Sequence, residues 1–291
     1  MTFNIGPHTI VIEGSPWTPE NVPASFRPFL SDNVGEQRTA RLLVVNPSEE
    51  PLTEGKPVSI SFNDLGSTSL YATKYGWIVK LTPKAGEPPR VMLIDHSFDS
   101  ARIYMDIDDR YAGFILDSMS RIFFSQYAAS RGSLMLHASV VVSGGLSYIF
   151  MGKSGTGKST HSRLWIETFP GTELLNDDCP LVSPDKEGRF YAYGTPWSGK
   201  TPCWKNQSAP VGGIAQLRQA PYNRFIRTAG IESFISFIPG MSVMTSSRSL
   251  YDTASDTALR LLDSVPTGIL ECLPDTGAVT ICRTFILETN R

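Results

Sequence analysis

Apolar and polar residues alternate along the first third of the chain, and Pro and Gly clusters separate the alternating segments. A period of two places successive side chains on opposite faces of an extended chain, which is typical of half-buried strands. We therefore predict an antiparallel β-rich module with little helix, in which residues 63–67 form a loop between two strands. The predicted strands are residues 9–12, 41–45, 58–62, 69–81, 90–94 and 101–105.

The pattern changes at residues 106–109, which are mostly acidic and suit the N-terminus of a helix. Apolar residues then recur at helical spacing from Tyr111 to Tyr127, and Gly132 is a plausible stop. This predicts a helix over 106–132 that connects the β-rich module, residues 1–105, to a second domain, residues 133–291.

In the second domain, two apolar runs at 134–142 and 146–151 flank Ser143-Gly144-Gly145 and predict a hairpin. Further strand and helix signals alternate after it, so we expect an α/β domain and a chain that is α+β overall. The predicted strands are 173–176, 181–183, 189–193 and 214–217, and the predicted helices are 231–238 and 251–264.

Composition narrows the class of protein without naming a reaction. The 291 residues are 41% hydrophobic and carry a net charge of −2, with no Lys/Arg cluster, so nucleic acid and membrane partners are not expected. No targeting or membrane-spanning segment is recognised, which makes the cytoplasm the expected location. The four cysteines lack C-x-x-C spacing and are expected to be reduced thiols. We expect a small-molecule or protein partner, and homo-oligomerisation stays open.

One segment carries clear chemistry: residues 152–159 fit the pattern G-x-x-x-x-G-K-[ST] between an apolar strand and the start of a helix. In that setting backbone N–H groups converge on a phosphate at the positive end of the helix, the lysine reaches the outer phosphates and the serine reaches Mg²⁺. The alternative is a glycine-rich turn that only joins strand to helix. The nucleotide-binding candidates are Gly152, Ser154, Gly155, Thr156, Gly157, Lys158, Ser159 and Thr160.

Asp177 and Asp178 end a short apolar strand about 20 residues after Lys158, a separation at which a neighbouring strand can deliver a carboxylate to Mg²⁺. Adjacent side chains on an extended chain point in different directions. One carboxylate could therefore orient metal or water while the other accepts a proton from an attacking hydroxyl. The alternative is an acidic turn before Pro180.

From Leu136-His137-Ala138-Ser139 through the glycine-rich segment to Asp178, the chain resembles the catalytic domain of HPr kinase/phosphorylase. The string at 154–158 is also similar to that of the more distant ATP-dependent phosphoenolpyruvate carboxykinases. The resemblance covers about residue 132 to the C-terminus. It implies a P-loop kinase domain of this type after a β-rich domain, and transfer of the γ-phosphoryl group of ATP, with Mg²⁺, to a hydroxyl of a small molecule or of a serine in a protein.

The resemblance also implies roles for individual residues. Asp177 would be the general base, His137 would support it or the reacting phosphate, Lys158 would bind phosphate, and Ser159 and Asp178 would bind the metal. An exchange of roles between the two aspartates stays open.

The chain also departs from HPr kinases. It has Thr160 where they commonly carry an acidic residue, it lacks their glycine-rich signature after the aspartates, and it lacks their N-terminal domain. HPr is therefore not implied as the acceptor, and reverse phosphorolysis is not carried over. A carboxykinase reaction, or a nucleotide-binding regulatory protein without turnover, are the alternative functions.

Two further segments are candidates for substrate binding. Residues 194–200 follow a predicted strand, and Trp197 and Lys200 could cover and attract the acceptor; a surface turn is the alternative. Arg224 follows the strand at 214–217 and could contact the transferred phosphate, although an exposed arginine is usually solvated.

Overall fold

The computed structural model describes residues 1–32, 39–49, 51, 55–63, 66–199 and 201–289. The chain divides into two compact units. Unit 1 comprises Met1–Ser130 and Met244–Tyr251, and unit 2 comprises Arg131–Val243 and Asp252–Arg291. The helix predicted as a connector belongs to unit 1. Among the described helices, none combines the length and the apolar character that a membrane span requires.

Unit 1 is built on a sheet of nine described strands. They are β1 (Thr2–Ile5), β2 (His8–Glu13), β3 (Leu30–Ser31), β4 (Thr39–Val45), β5 (Ser59–Asn63), β6 (Gly66–Thr73), β7 (Gly76–Thr82), β8 (Arg90–Ile94) and β9 (Ser100–Tyr104). Their order across the sheet is β3-β1-β2-β4-β9-β8-β7-β6-β5. Aromatic side chains fill part of the core: the Phe3 ring lies 5.3 Å from Phe26, and Trp17 lies 4.9 Å from Phe26.

The prediction of a purely antiparallel module is wrong. Strand β4 pairs in parallel with both β2 and β9. Two parallel neighbours need a long connection between them. The chain from the end of β2 to the start of β4 is one such connection, and the segment that contains β5 to β8 is the connection from β4 to β9. Alternation along each strand gives no information about the direction of its neighbours.

The single strand predicted over 69–81 is also wrong, because this segment forms the hairpin of β6 and β7. Thr73 closes the turn: its Oγ1 donates to the Gly76 carbonyl at 2.9 Å and accepts from the Tyr75 N–H at 3.2 Å. The predicted loop at 63–67 includes residues 64 and 65, which lie outside the described residues, and Gly66 already begins β6.

Helix α1 (Ala112–Ala129) starts six residues after its predicted beginning. The acidic segment forms a turn first, in which the Asp109 N–H donates to the Asp106 carbonyl at 3.1 Å and the Asp109 carboxylate accepts from the Tyr111 N–H at 2.8 Å. The acidic residues therefore precede the helix, and the Asp109 carbonyl accepts from the N–H of Ala112, the first helical residue, at 2.8 Å.

Unit 2 contains the second sheet, which is mixed, and four helices among the described residues. The strands are β10 (Leu134–Met135), β11 (Ala138–Ser143), β12 (Leu146–Met151), β13 (Glu173–Asn176), β14 (Leu181–Pro184), β15 (Phe190–Tyr193), β16 (Ser208–Gln219), β17 (Arg224–Arg227) and β18 (Thr267–Cys272). The helices are α2 (Lys158–Thr168), α3 (Gly230–Phe237), α4 (Arg248–Ser264), whose first four residues fall in unit 1, and α5 (Thr276–Thr289). Strands β17 and β18 and helix α5 are not predicted from the sequence.

The sheet of unit 2 runs β10-β14-β15-β16-β12-β11-β13, and β18 pairs with both β16 and β17. Strand β12 is central, antiparallel to β11 and parallel to β16. Helix α2 packs on it through the fully buried Trp165, whose ring lies 4.7 Å from Tyr148 and 5.3 Å from Phe150. This packing fixes the end of β12 against the start of α2 and so holds the loop between them.

Candidate functional site

The glycine-rich loop connects β12 to α2 as the sequence predicts. Gly157 precedes the helix with φ +101°, a left-handed conformation that other residues adopt only with strain. Gly152 has φ +151°, and a β-carbon there would lie 2.5 Å from Thr156 Oγ1. The loop is closed by Thr156, whose N–H and Oγ1 both donate to the Lys153 carbonyl, at 3.1 and 2.6 Å. Its shape therefore depends on glycine at two of the motif positions.

Lys158 directs its ammonium group back toward the loop. Its Nζ donates to the Gly152 carbonyl at 3.0 Å and lies 2.9 Å from His137 Nε2. Burial lowers the pKa of Lys158 below its ordinary value, and the nearby carboxylates of Asp178 and Asp177 oppose that shift. The sequence-predicted lysine, histidine and aspartates are thus brought together at the end of β12.

His137 connects the lysine to Asp178. Its Nδ1 lies 3.0 Å from Asp178 Oδ1, while its Nε2 faces the ammonium group of Lys158. An ammonium group has donors only, so Nε2 must accept, and Nδ1 then carries the proton and donates to the carboxylate. The imidazole is also held through its main chain, because the His137 N–H donates to the Gly240 carbonyl at 2.7 Å.

Asp177 points elsewhere, as expected for adjacent residues on an extended chain. It is 7% exposed, and its Oδ1 accepts a hydrogen bond from Ser139 Oγ at 2.8 Å. Ser139 in turn lies 2.6 Å, Oγ to Oγ, from Ser162 on α2. The buried carboxylate therefore connects β13, β11 and the helix that follows the loop.

Sequence reasoning missed both serines and Asn176. Ser139 is two residues after His137 and so on the same face of an extended segment, a signal that could have identified it. Asn176 is fully buried: its Oδ1 accepts from the N–H groups of Asp178 and Cys179 at 3.0 and 2.8 Å, and its Nδ2 donates to the Trp197 carbonyl at 3.1 Å. This side chain fixes the main chain at the aspartate pair.

The predicted substrate loop lies beside the aspartates. A β-carbon on Gly199 would lie 3.0 Å from the Asp177 carbonyl oxygen and 3.4 Å from Asp178 Cβ. Trp197 is 3% exposed, so its ring belongs to the interior and offers little surface to a ligand. Lys200 lies outside the described residues, and its role stays a prediction.

Arg224 lies on β17, where its guanidinium binds Glu271 of β18, with Nη2 and Nε 2.7 and 3.1 Å from the same carboxylate oxygen. Its described contacts are with Glu271 and with the Tyr222 ring, 5.7 Å from the guanidinium carbon. It is therefore not part of the group that His137, Lys158 and Asp178 form.

Two cavities border the loop. The first, which we call the α2 cavity, has a volume of about 560 Å³. It is lined by Gly155, Thr156, Gly157, Thr160, His161, Leu164, Leu217, Gln219, Ala220, Pro221, Cys272, Leu273 and Pro274. Burial lowers the pKa of His161 to about 3, and its Nε2 accepts from the Trp165 indole N–H at 3.0 Å, so this wall is uncharged at neutral pH.

The second, the α3 cavity, has a volume of about 710 Å³. It is lined by Lys153, Thr156, Gln216, Leu217, Arg218, Gln219, Ile231, Glu232, Ile235, Ser236, Pro239 and Ile269. Thr156, Leu217 and Gln219 border both cavities, and Gln219 Nε2 donates to the Gly155 carbonyl at 3.2 Å. The loop therefore forms part of the wall of both cavities.

No protein-family model matches the chain, and no curated protein matches its sequence. Among solved structures, the Hpr(Ser) kinase/phosphatase from Coxiella burnetii aligns with 54% of this chain and 99% of its own length. The aligned residues are 12% identical and the TM-score is 0.34. At this level of similarity, a function has to be argued from the site residues themselves.

Proposed function

We propose that this chain is an ATP-dependent kinase of the P-loop type, which transfers the γ-phosphoryl group to a hydroxyl. The observation that carries the proposal is the contact series Asp178–His137–Lys158 at the glycine-rich loop. In this series Lys158 is the cation for the phosphates, and Asp178 is a carboxylate that the His137 imidazole holds in place. Transfer to a hydroxyl requires phosphate binding, charge neutralisation and a proton acceptor.

The loop suits a phosphate for local reasons. It leads into the N-terminus of α2, where unpaired N–H groups attract anions. In the described part of the chain, a β-carbon on Gly155 or Gly157 would meet nothing within 4 Å, which leaves that side of the loop open. The α2 cavity, whose described lining is largely apolar and has no charged side chain, adjoins the same glycines and suits a nucleoside.

We assign the general base to Asp178 rather than Asp177. The Asp178 side chain is 27% exposed, so an incoming hydroxyl can reach it, and His137 orients its carboxylate. Both carboxylates accept hydrogen bonds, Asp177 from Ser139 and Asp178 from His137 and from Cys179 Sγ at 3.1 Å, so the difference between them is that Asp177 is buried. A carboxylate that receives a proton must be accessible to the proton donor, which favours Asp178.

The described residues contain no cluster of three or more His, Cys, Asp or Glu side chains that could by itself hold a metal ion. Mg²⁺ in phosphotransfer sites needs fewer protein ligands, because it binds mainly phosphate oxygens and water with one or two carboxylates. The Ser159 hydroxyl on the first turn of α2 and the Asp177 carboxylate offer donors of that kind. When bound, Mg²⁺ neutralises charge on the phosphates.

The test is incubation of the protein with γ-labelled ATP, Mg²⁺ and small-molecule or protein fractions of a cell extract. We expect Mg²⁺-dependent transfer of label to an acceptor by the wild type, and transfer reduced about 10²-fold or more in Asp178→Asn. Slow ADP formation that no fraction accelerates would instead support a nucleotide-binding regulator without turnover. Absence of ATP binding by calorimetry would contradict both.

A further inference from the structure

The α3 cavity has an apolar wall that the fold leaves uncovered. Ile231 and Ile235 are 71% and 62% exposed, and their spacing of four residues places them on one face of α3. Ile269 and Pro239 line the same cavity. Large aliphatic side chains gathered around one concave surface are typical of a ligand site rather than of scattered surface residues.

Charged side chains accompany this apolar wall. Lys153 and Arg218 line the cavity, and neither forms a salt bridge with a described residue. Glu232 is the acidic side chain in the same lining, which leaves an excess of one positive charge.

Arg218 is the register partner of Glu271 on β18 and interacts electrostatically with its carboxylate, but the hydrogen bonds of that carboxylate are to Arg224 and Tyr222. The Arg218 guanidinium can therefore still form two parallel hydrogen bonds to a ligand carboxylate. The lining therefore suits a ligand that combines an apolar group with an anionic one.

The cavity lies next to the proposed reaction centre. The Lys153 carbonyl, from a residue in its lining, is 3.5 Å from Lys158 Nζ. Pro239, also in the lining, directly precedes Gly240, whose carbonyl accepts the His137 N–H. The lining of this cavity is thus linked through main-chain contacts to both the lysine and the histidine.

On the basis of the proposed function, we propose that the α3 cavity binds the phosphoryl acceptor. We further infer that the acceptor is a small hydroxy carboxylate with an apolar substituent. Its apolar group packs on Ile231 and Ile235, and its carboxylate binds Arg218. A volume of about 710 Å³ is the size of a small-molecule site.

The transfer step balances with a nucleoside triphosphate as the phosphoryl donor. The acceptor hydroxyl oxygen forms a bond to the γ-phosphorus, and the bond from that phosphorus to the β–γ bridging oxygen breaks. The hydroxyl proton moves to the Asp178 carboxylate. The nucleoside diphosphate and the phosphorylated hydroxy acid are the products.

The experiment uses three probes with the full chain in the presence of Mg²⁺ and a non-hydrolysable ATP analogue. They are 2-hydroxy-4-methylpentanoate, its amide, and glycolate, which lacks the apolar group. Calorimetry should show that the first binds at least about tenfold more tightly than the other two. In a separate assay with ATP in place of the analogue, ADP formation should rise only with the first.

Variants test the contacts. Ile235→Glu should weaken binding of 2-hydroxy-4-methylpentanoate at least about tenfold, because it places a charge in the apolar wall. Arg218→Gln should remove the preference for the acid over the amide. Leu259→Glu, at a 39% exposed position on α4, is the matched control and should bind the acid like the wild type.

The outcomes separate this inference from the proposed function. If the ATP analogue binds but no hydroxy acid binds, or if Ile235→Glu and Leu259→Glu behave alike, the acceptor assignment is wrong while the kinase can stand. A labelled serine peptide phosphorylated equally by wild type and Ile235→Glu would also overturn it. If the ATP analogue does not bind at all, the proposed function fails first.

Discussion

His137 Nε2 lies 2.9 Å from the ammonium nitrogen of Lys158. An ammonium group has donors only, and here it contacts the imidazole and donates to the Gly152 carbonyl. We expect a bound phosphate to compete for the same ammonium hydrogens. Nucleotide binding would then leave His137 attached mainly to Asp178, whose carboxylate it orients.

Lys158→Ala should lower nucleotide affinity or turnover at least about tenfold, because it removes a cation held among the carbonyl groups of the loop. Calorimetric titration with Mg-ATP measures the effect. Lys186→Ala, which removes an exposed lysine of unit 2, is the matched control. Unchanged binding and activity in Lys158→Ala would show that the loop only joins strand to helix.

Asp178→Asn and Asp177→Asn should have different effects. The first keeps the shape of the side chain but loses the proton acceptor, so we expect ATP binding within about threefold of wild type and transfer reduced by about 10² or more. The second perturbs the buried hydrogen bond to Ser139 and should cost about 1–3 kcal/mol of stability. Because Asp177 is also the proposed carboxylate ligand of Mg²⁺, this variant should need a higher Mg²⁺ concentration for transfer. Thermal melts and single-turnover assays separate the two, and equal mild losses would contradict both roles.

Part of unit 2 could be predicted because the residues that specify each element there lie close together in the sequence. The run from Leu146 to Met151 and the glycines after it specify a strand, a turn and a helix start within 13 residues, and the structure has β12, the loop and α2 there. The hairpin of β11 and β12 follows from Gly144 and Gly145.

Other features depend on contacts between distant segments. The parallel pairing of β4 is set by chain connections that alternation does not encode. Asn176 reads as an ordinary polar residue at a strand end, and only the fold brings Thr195 and Trp197 to it. The separation of Asp177 from Asp178 could be predicted, but which of them faces His137 could not.

Acid should destabilise the protein through His161. Its folded-state pKa of about 3 lies below the ordinary 6.5, so between these values the unfolded state binds more protons and stability falls as the pH falls. Above pH 6.5 the contribution is constant. By pH ~4.5 the free energy of unfolding of the wild type should fall about 3 kcal/mol more than that of His161→Gln. The amide of the variant can still accept from Trp165, but it does not titrate. Denaturant unfolding of both proteins at several pH values checks this, and parallel curves would contradict it.

Gly199→Ala should reduce transfer without affecting ATP binding. The added β-carbon would lie 3.0 Å from the Asp177 carbonyl and 3.4 Å from Asp178 Cβ, so the aspartate segment has to shift by a few tenths of an ångström. A misplaced base lowers the rate strongly because transfer depends on its position, and we expect kcat to fall about tenfold or more. Gly113→Ala, on α1 with nothing within 4 Å of the new carbon among the described residues, is the control. Wild-type kcat in both variants would show that the loop at 194–199 does not position the aspartates.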